Sequence, residues 1–377
     1  MTDPCHVCGS ANLRTLPDYP ALPRVSSDCR PVEAGGAVEV CLSCGAIRKP
    51  ATERFREEIG AIYSAYDVYY QGGGLEQVVF DSRSGQPVRR SDLLADRLRG
   101  TGLLPAQARA IDLGCGNGAF LRALSSVFAG WELFGLELDD RSLSAMSDIP
   151  GFAGLRVGDV KRLDGAYDLV SMIHALEHFL DPLETLVALR RNLAPGGHVF
   201  IEVPDVSKNP FDLLIADHVS HFTPSSLTRM LARAGYEVVR IETDWVRKEM
   251  SVLARLGASP EAFASDPPEL AETQLAWLSG TLQAARSAAE SRPFGLFGTS
   301  IAATWLAGAL ADRIDFYLDE DPSRQGRGFM GKPIFAPSDM PHGATVFVGL
   351  APAISSLIAA RLARPDVQIV VPPAVAR

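Results

Sequence analysis

Residues 109–118 read Arg-Ala-Ile-Asp-Leu-Gly-Cys-Gly-Asn-Gly, an apolar strand that runs straight into a glycine-rich loop. Gly114, Gly116 and Gly118 allow backbone angles and close approaches that a Cβ would forbid. The apolar run behind them (Phe120, Leu121, Leu124, Val127, Phe128) has helical spacing. The N-terminal amides of that helix would stand beside the loop, so the loop is built for a ligand lying against backbone.

Glycine spacing alone is shared by dinucleotide binders and binders of S-adenosylmethionine (SAM), and the downstream order separates them. A second strand, 131–138, ends in Gly135-Leu136-Glu137, a carboxylate about 20 residues past the loop, where a ribose diol would be bound. A third, 155–157, ends in Gly158-Asp159, an acid to which an adenine amino group could donate. The fourth, 167–173, leads into His174-Ala-Leu-Glu-His178. A helix with Leu183, Leu186 and Leu189 then precedes Leu193-Ala-Pro-Gly-Gly197 and a fifth strand, 198–203. Strands alternating with helices predict an α/β fold, a doubly wound parallel sheet with helices on both faces.

In this order the motifs resemble those of class I SAM-dependent methyltransferases. The resemblance implies SAM as cofactor, with Asp112, Gly114, Cys115 (through its backbone) and Gly116 at the methionine end. Glu137 would hold the ribose and Asp159 the adenine, and the turn at Ile173 and His174 would close the side that faces the methyl group.

Upstream, Cys5-His-Val-Cys8 and Cys41-Leu-Ser-Cys44 are each followed by glycine. Four thiolates at this spacing suit tetrahedral Zn²⁺, and a site filled by four protein ligands has no position for water, so the expected zinc is structural. The segment between the pairs has apolar positions (Leu22, Val25, Val38) for a β-ribbon but not for a core, which makes folding depend on metal. The whole chain has 377 residues, 47% apolar and 21% charged, with six cysteines. That is too little cysteine for a disulfide-built secreted scaffold and enough chain for two or three domains. A net charge of −9 excludes a broad basic nucleic-acid footprint. The N-terminus shows no leader and the chain no membrane span, so the cytoplasm is the expected address.

The acceptor side is read from 215–224, Ile-Ala-Asp-His-Val-Ser-His-Phe-Thr-Pro, where two histidines and an aspartate fall within five residues. Methyl transfer is an in-line displacement, so the protein positions the acceptor and takes up its proton, for which a histidine is suited. Between ribbon and sheet, Tyr63, Tyr66, Tyr69 and Tyr70 precede Gly72-Gly73-Gly74, a composition that suits a lid. Beyond 258 an Ala-, Glu- and Leu-rich stretch reads as a helical linker. A small α/β unit follows, with Thr299, Ser300, Arg324 and Arg327 available to a phosphate and Asp319-Glu-Asp321 as a solvated turn.

With these parts the chain resembles the three-domain bacterial family that C-methylates nucleotide-linked deoxysugars. That family combines a zinc-binding ribbon, a SAM domain and a Rossmann-like C-terminal domain. The implied organisation is a ribbon at 1–55, a connector and lid at 56–90, a SAM domain at 91–257, a linker at 258–291 and a C-terminal domain at 292–377. By the resemblance His218 is the base, Asp217 orients its imidazole, and His178 stands near the acceptor. Tyr69, Tyr70, His174, Glu202 and His221 would face a small-molecule substrate, a nucleotide-sugar, with no nucleic-acid or membrane partner. An aromatic is missing at Ile215, and His221 stands where an aromatic is common. An O- or N-methyltransferase of sugars or natural products would share the frame.

Overall fold

Parallel strands covered on both faces carry apolar side chains in continuous runs, because neither face meets water. The central strands have this pattern: Ile111, Leu113, Leu133, Leu169, Val170, Met172, Val199, Phe200, Ile201 and Val203 are all buried. In a computed structural model, which describes residues 3–66, 76, 78–81, 83, 87–258 and 264–375, these residues build one seven-stranded sheet.

The N-terminal unit contributes β1 (Leu13–Thr15), β2 (Glu39–Cys41) and β3 (Ile47–Arg48). They form an antiparallel sheet in the order β1-β2-β3, which the two-residue strand Ser220–His221 extends from far along the chain. Helix α1 (Glu53–Ser64), capped by the Thr52 side chain on Phe55 N–H, and α2 (Arg90–Gly100) lead to the central sheet. Its strands are β4 (Arg109–Leu113), β5 (Glu132–Glu137), β6 (Phe152–Val157), β7 (Tyr167–Ile173), β8 (Leu193–Pro204), β9 (Tyr236–Glu242) and β10 (Glu249–Leu256). The order is β6-β5-β4-β7-β8-β10-β9, parallel except for β10, which pairs antiparallel with both neighbours. Helix α3 (Ala119–Val127) follows the glycine loop, α4 (Pro182–Leu189) follows β7, and α5 (Pro224–Arg233) opens on a Thr223–Ser226 capping box.

The third unit carries β11 (Phe294–Phe297), β12 (Phe316–Leu318), β13 (Gly328–Phe329), β14 (Lys332–Phe335), β15 (Thr345–Phe347) and β16 (Gln368–Val370). Their order is β13-β14-β12-β11-β15-β16, parallel except at β13. Helices α6 (Glu269–Ala288), α7 (Ile301–Leu310) and α8 (Pro352–Leu362) accompany it. No helix among the described residues is long and apolar enough to cross a membrane.

Two expectations change here. The stretch read as a helical linker is helical, as α6, but it is a core element: its Ala271, Leu275, Trp277, Leu278, Leu282 and Ala285 are buried. The ribbon also does not stand alone: Leu22, Val25 and Val38 belong to one apolar core with Phe211, Leu214, α6 and α7. Neither reading was available locally, because the ribbon's apolar positions are covered by residues more than 150 positions away and the face of α6 by the 210–214 turn and α7. Phe211 sits edge-on to both Trp277 (5.4 Å) and Trp305 (5.8 Å) at the centre of this core. Trp305→Ala is expected to destabilise the chain by about 3–5 kcal/mol, read as a lowered urea midpoint.

Candidate functional site

The carboxyl ends of β6, β5, β4 and β7 lie side by side, and chain order reverses between β4 and β7. Such a reversal opens a crevice at the strand ends. Here it is part of a cleft of about 2860 Å³ that continues to the C-terminal unit.

In the loop after β4, Gly114 and Gly116 have φ of +69° and +53°. A Cβ on Gly114 would stand 3.2 Å from the Cβ of Ala175. Gly116 N–H donates to Glu137 Oε1 at 2.6 Å, so the carboxylate ending β5 braces the loop. Asp159, at the end of β6, accepts from Lys161 N–H (2.8 Å) and lines the cleft. Asp112 accepts from the Ser171 hydroxyl at 2.7 Å, and burial pushes its carboxyl up to about 7. The Cys115 thiol turns to Met146 Sδ (3.8 Å), so this residue offers the loop its backbone. A glycine cradle followed across the sheet by two strand-end carboxylates, Glu137 and then Asp159, fits a ligand with hydroxyl and amino donors.

Ile173 and His174 also line the cleft. His174 has φ of +51°, a left-handed turn that is uncommon outside glycine and typical of functional sites. Its Nδ1 lies 3.2 Å from Glu177 Oε1 and its Nε2 3.1 Å from Glu249 Oε2, while Arg90 reaches Glu249 Oε1 at 2.9 Å. Burial opposes the His174 charge, but Glu249 and Glu177 outweigh it and hold the imidazole up to about 10. Glu202 does not face the acceptor. It is fully enclosed, accepts from the Ser251 hydroxyl, and is pushed well above the usual carboxylate range by burial and by Glu249.

The histidines that sequence placed on the acceptor side come together from two segments. The rings of His178 and His218 are 4.6 Å apart and nearly perpendicular, and both line the cleft. Tyr63 Oη is 3.1 Å from His178 Nδ1, a contact from α1 that spacing alone had not singled out from the other tyrosines. Asp217 does not orient His218. Its carboxylate accepts from Ser27 N–H (2.8 Å) and Ser27 Oγ–H (2.5 Å) and lies 3.4 Å from His178 Nδ1. The carboxylate on His218 Nδ1 is Asp212 Oδ1, at 2.7 Å, and Asp212 Oδ2 meets His221 Nδ1 at 2.6 Å. The turn 210–214 makes this exchange by bringing Asp212 under both rings, whereas Asp217 points back to the ribbon. His221, at 1% exposure, lies behind His218 rather than on the cleft wall. The sequence signal for Asp212 was a lone acid in an apolar turn, Pro-Phe-Asp-Leu-Leu, nine residues before His221. Tyr69 and Tyr70 lie outside the described residues.

In the N-terminal unit the ligand atoms of Cys5, Cys8, Cys41 and Cys44 all lie within 4.8 Å of one another, with Cys5 and Cys44 Sγ 3.8 Å apart and Cys8 and Cys41 Sγ 3.5 Å apart. Gly9 and Gly45, at φ of +80° and +76°, donate N–H back to Cys5 and Cys41 O. Sulfurs on a tetrahedral zinc, with Zn–S near 2.3 Å, are separated by about 3.8 Å, so the cluster fits that ion. At the far end of the cleft Thr299, Ser300 and Arg324 reach the wall. The acidic turn there is not simply solvated: Asp319 Oδ2 accepts from Thr299 Oγ1 at 2.6 Å, and Arg324 donates to Thr299 at 2.7 Å.

Strand order, the antiparallel β10 and the glycine cradle define a class I SAM-dependent methyltransferase domain. Residues 88–241 match a family model described as "Methyltransferase domain". The chain is similar to the ubiquinone biosynthesis O-methyltransferase of Methylococcus capsulatus, 28% identical over 159 residues that cover 36% of this chain and 66% of that one. It is also similar to that of Nitrosospira multiformis, 26% identical over 155 residues that cover 35% and 63%. The chain thus spans less than two thirds of these relatives' length. Among solved structures, mitomycin 7-O-methyltransferase aligns with a TM-score of 0.40 at 17% identity, over 45% of this chain and 53% of that one. A SAM-dependent methyltransferase from Clostridium acetobutylicum aligns with a TM-score of 0.39 at 13% identity, over 54% and 98%.

Because His174 is raised in the fold above its unfolded value near 6.5, its stabilisation is fully present below that pH and is lost as pH rises through about 10. His174→Gln is expected to cost about 1.5–3 kcal/mol at pH 6. In urea titrations the gap to wild type should close toward pH 10.

Proposed function

We propose that this chain transfers a methyl group from SAM to a small-molecule acceptor held between the central sheet and the C-terminal unit, with a nucleotide-linked keto-sugar as the acceptor class. The observation that supports this most is the single cleft joining the glycine cradle, the His178–His218 pair and the Thr299–Arg324 end. SAM, when bound, supplies an electrophilic sulfonium methyl. Gly114 and Gly116 would take its methionine end against backbone, with Asp112 beside them, while Glu137 would accept from the ribose hydroxyls and Asp159 from the adenine amine.

For C-methylation, His218 would take the proton of the acceptor carbon beside the ketone at Nε2, with Asp212 holding Nδ1. Tyr63 and His178 would hold the oxygen on which charge develops. A second reading, O-methylation, is favoured by the similarity to ubiquinone biosynthesis O-methyltransferases; the same dyad would then deprotonate a hydroxyl. Four thiolates at 5, 8, 41 and 44 would hold a structural zinc, a ligand set that suits the reducing cytoplasm. The net charge of −9 goes with a small-molecule partner rather than a nucleic acid.

Mass spectrometry of keto-, amino- and hydroxyl-bearing sugar nucleotides incubated with SAM and the full chain is expected to show a gain of one CH₂ unit on a keto-sugar. A gain only on hydroxyl substrates would select O-methylation, and no gain on any small molecule would sink the reading. His218→Ala is expected to lower kcat by roughly 10²–10⁴ with SAM affinity by calorimetry unchanged. Metal analysis of the purified chain should give stoichiometric zinc, and Cys41→Ser should lose both the zinc and much of the thermal stability.

A further inference from the structure

Lys49 is 1% exposed, yet it follows β3 directly and its side chain runs inward. Its backbone N–H donates to Val219 O at 2.8 Å, which registers the ribbon against the segment that carries the histidines. Its Nζ lies 2.8 Å from Ile215 O, 3.1 Å from His218 O and 2.8 Å from His221 Nε2, over the ring of Tyr19 at 5.8 Å. With the two Asp212 contacts, this makes one unbroken line from Lys49 through His221 and Asp212 to His218. Its far end, the His218 ring, lines the cleft.

We infer that Lys49, carried by the N-terminal unit, is a positioning residue for His218: it supplies the positive charge that balances Asp212, leaving His218 neutral with a lone pair at Nε2. The argument is one of charge and of donors. A buried carboxylate persists only when it is paired and hydrogen-bonded, and an ionised carboxylate accepts but cannot donate. Asp212 therefore faces N–H at Nδ1 of both rings. Two of the Lys49 hydrogens go to carbonyls. Whether the remaining proton sits on Nζ or has passed to His221 Nε2, His221 still presents Nδ1–H to Asp212, and one positive charge still stands against one negative. His218 then needs no second proton, and its Nε2 is free to act as a base.

Asp212 is held well below the usual carboxylate range: burial works against ionisation, but the two histidine rings hydrogen-bonded to it outweigh burial. Burial lowers Lys49 to about 7, with Asp212, Asp217 and Glu58 acting to raise it and Arg24 to lower it. Burial and then the Lys49 charge lower His221 to about 4, which favours the arrangement in which the proton stays on Nζ. On the cleft side His218 faces His178 and the buried Glu177. Neither replaces Lys49: among the described residues the rings that meet the Asp212 carboxylate are those of His218 and His221.

The test replaces Lys49 in the full chain by Met, which keeps the length of the side chain, and by Gln, which keeps a donor but removes the charge. With ¹⁵N-labelled histidine, wild-type His218 should read at pH 7 as a neutral ring protonated at Nδ1. In both variants its titration should move up by one pH unit or more, because Asp212 now draws its balancing charge from the histidines. With the acceptor found by the screen above, the acid limb of kcat/KM should move by the same amount. Below both limbs the rate should fall about tenfold or more, and above them it should approach wild type. An imidazolium or an Nε2–H tautomer on wild-type His218 at pH 7 overturns the inference without any variant. So does an unmoved titration in a folded variant. The rate arm rests on the proposed role of His218, but the NMR arm needs neither substrate nor turnover. A shifted titration with no turnover would thus count against that role and not against Lys49.

Discussion

One buried carboxylate fixes the geometry of the histidine cluster at the cleft wall. Asp212 holds two imidazoles, one on each oxygen, inside a core in which an unbalanced charge would not persist. It reaches both rings only because the turn 210–214 is clamped by Phe211, Leu213 and Leu214 in the apolar core shared by the ribbon, α6 and α7. The two-residue strand Ser220–His221 completes the ribbon's sheet beside it. Ribbon, histidine segment and C-terminal unit therefore stand or fall together: the N-terminal unit supports the cleft by packing and hydrogen bonding, and its Ser27, Asp28 and Arg30 reach the cleft wall.

The cofactor side is organised differently. Its groups come from loops at the ends of four adjacent strands, so the sheet places them with little help from side-chain packing. The exceptions are charged groups drawn in from other segments. Arg90 from α2 and Glu249 from β10 enclose His174, whose left-handed backbone is held by its N–H bond to Glu202 O at 2.8 Å. Glu202, buried beside Glu249, contributes that carbonyl and a proton-holding carboxyl rather than an acceptor contact.

The parts that sequence made legible are those governed by local rules. The glycine loop, the strand-end acids Glu137 and Asp159, and the paired cysteines each follow from backbone sterics or ligand spacing within a few residues. The His178 and His218 pair was legible through resemblance, and the structure brings the two rings together. The partner of His218 was not. Asp217 is next to it in sequence, but it sits in the turn at 216–217, closed by His218 N–H on Ile215 O, and that turn sends its carboxylate to Ser27. Lys49 carried no signal at all, because a lysine after a short strand ordinarily faces solvent.

What the sequence by itself determined is the alternation of strands and helices, the cofactor loop and the four-thiol cluster, since each depends on residues close together along the chain. Tertiary structure alone decided which carboxylate serves the cleft histidine, that the supposed linker is a core helix, and that a ribbon lysine ends in the histidine network. These depend on contacts such as Lys49 with His221, 172 residues apart. Charge balance and apolar burial select such contacts only once the units have closed on one another.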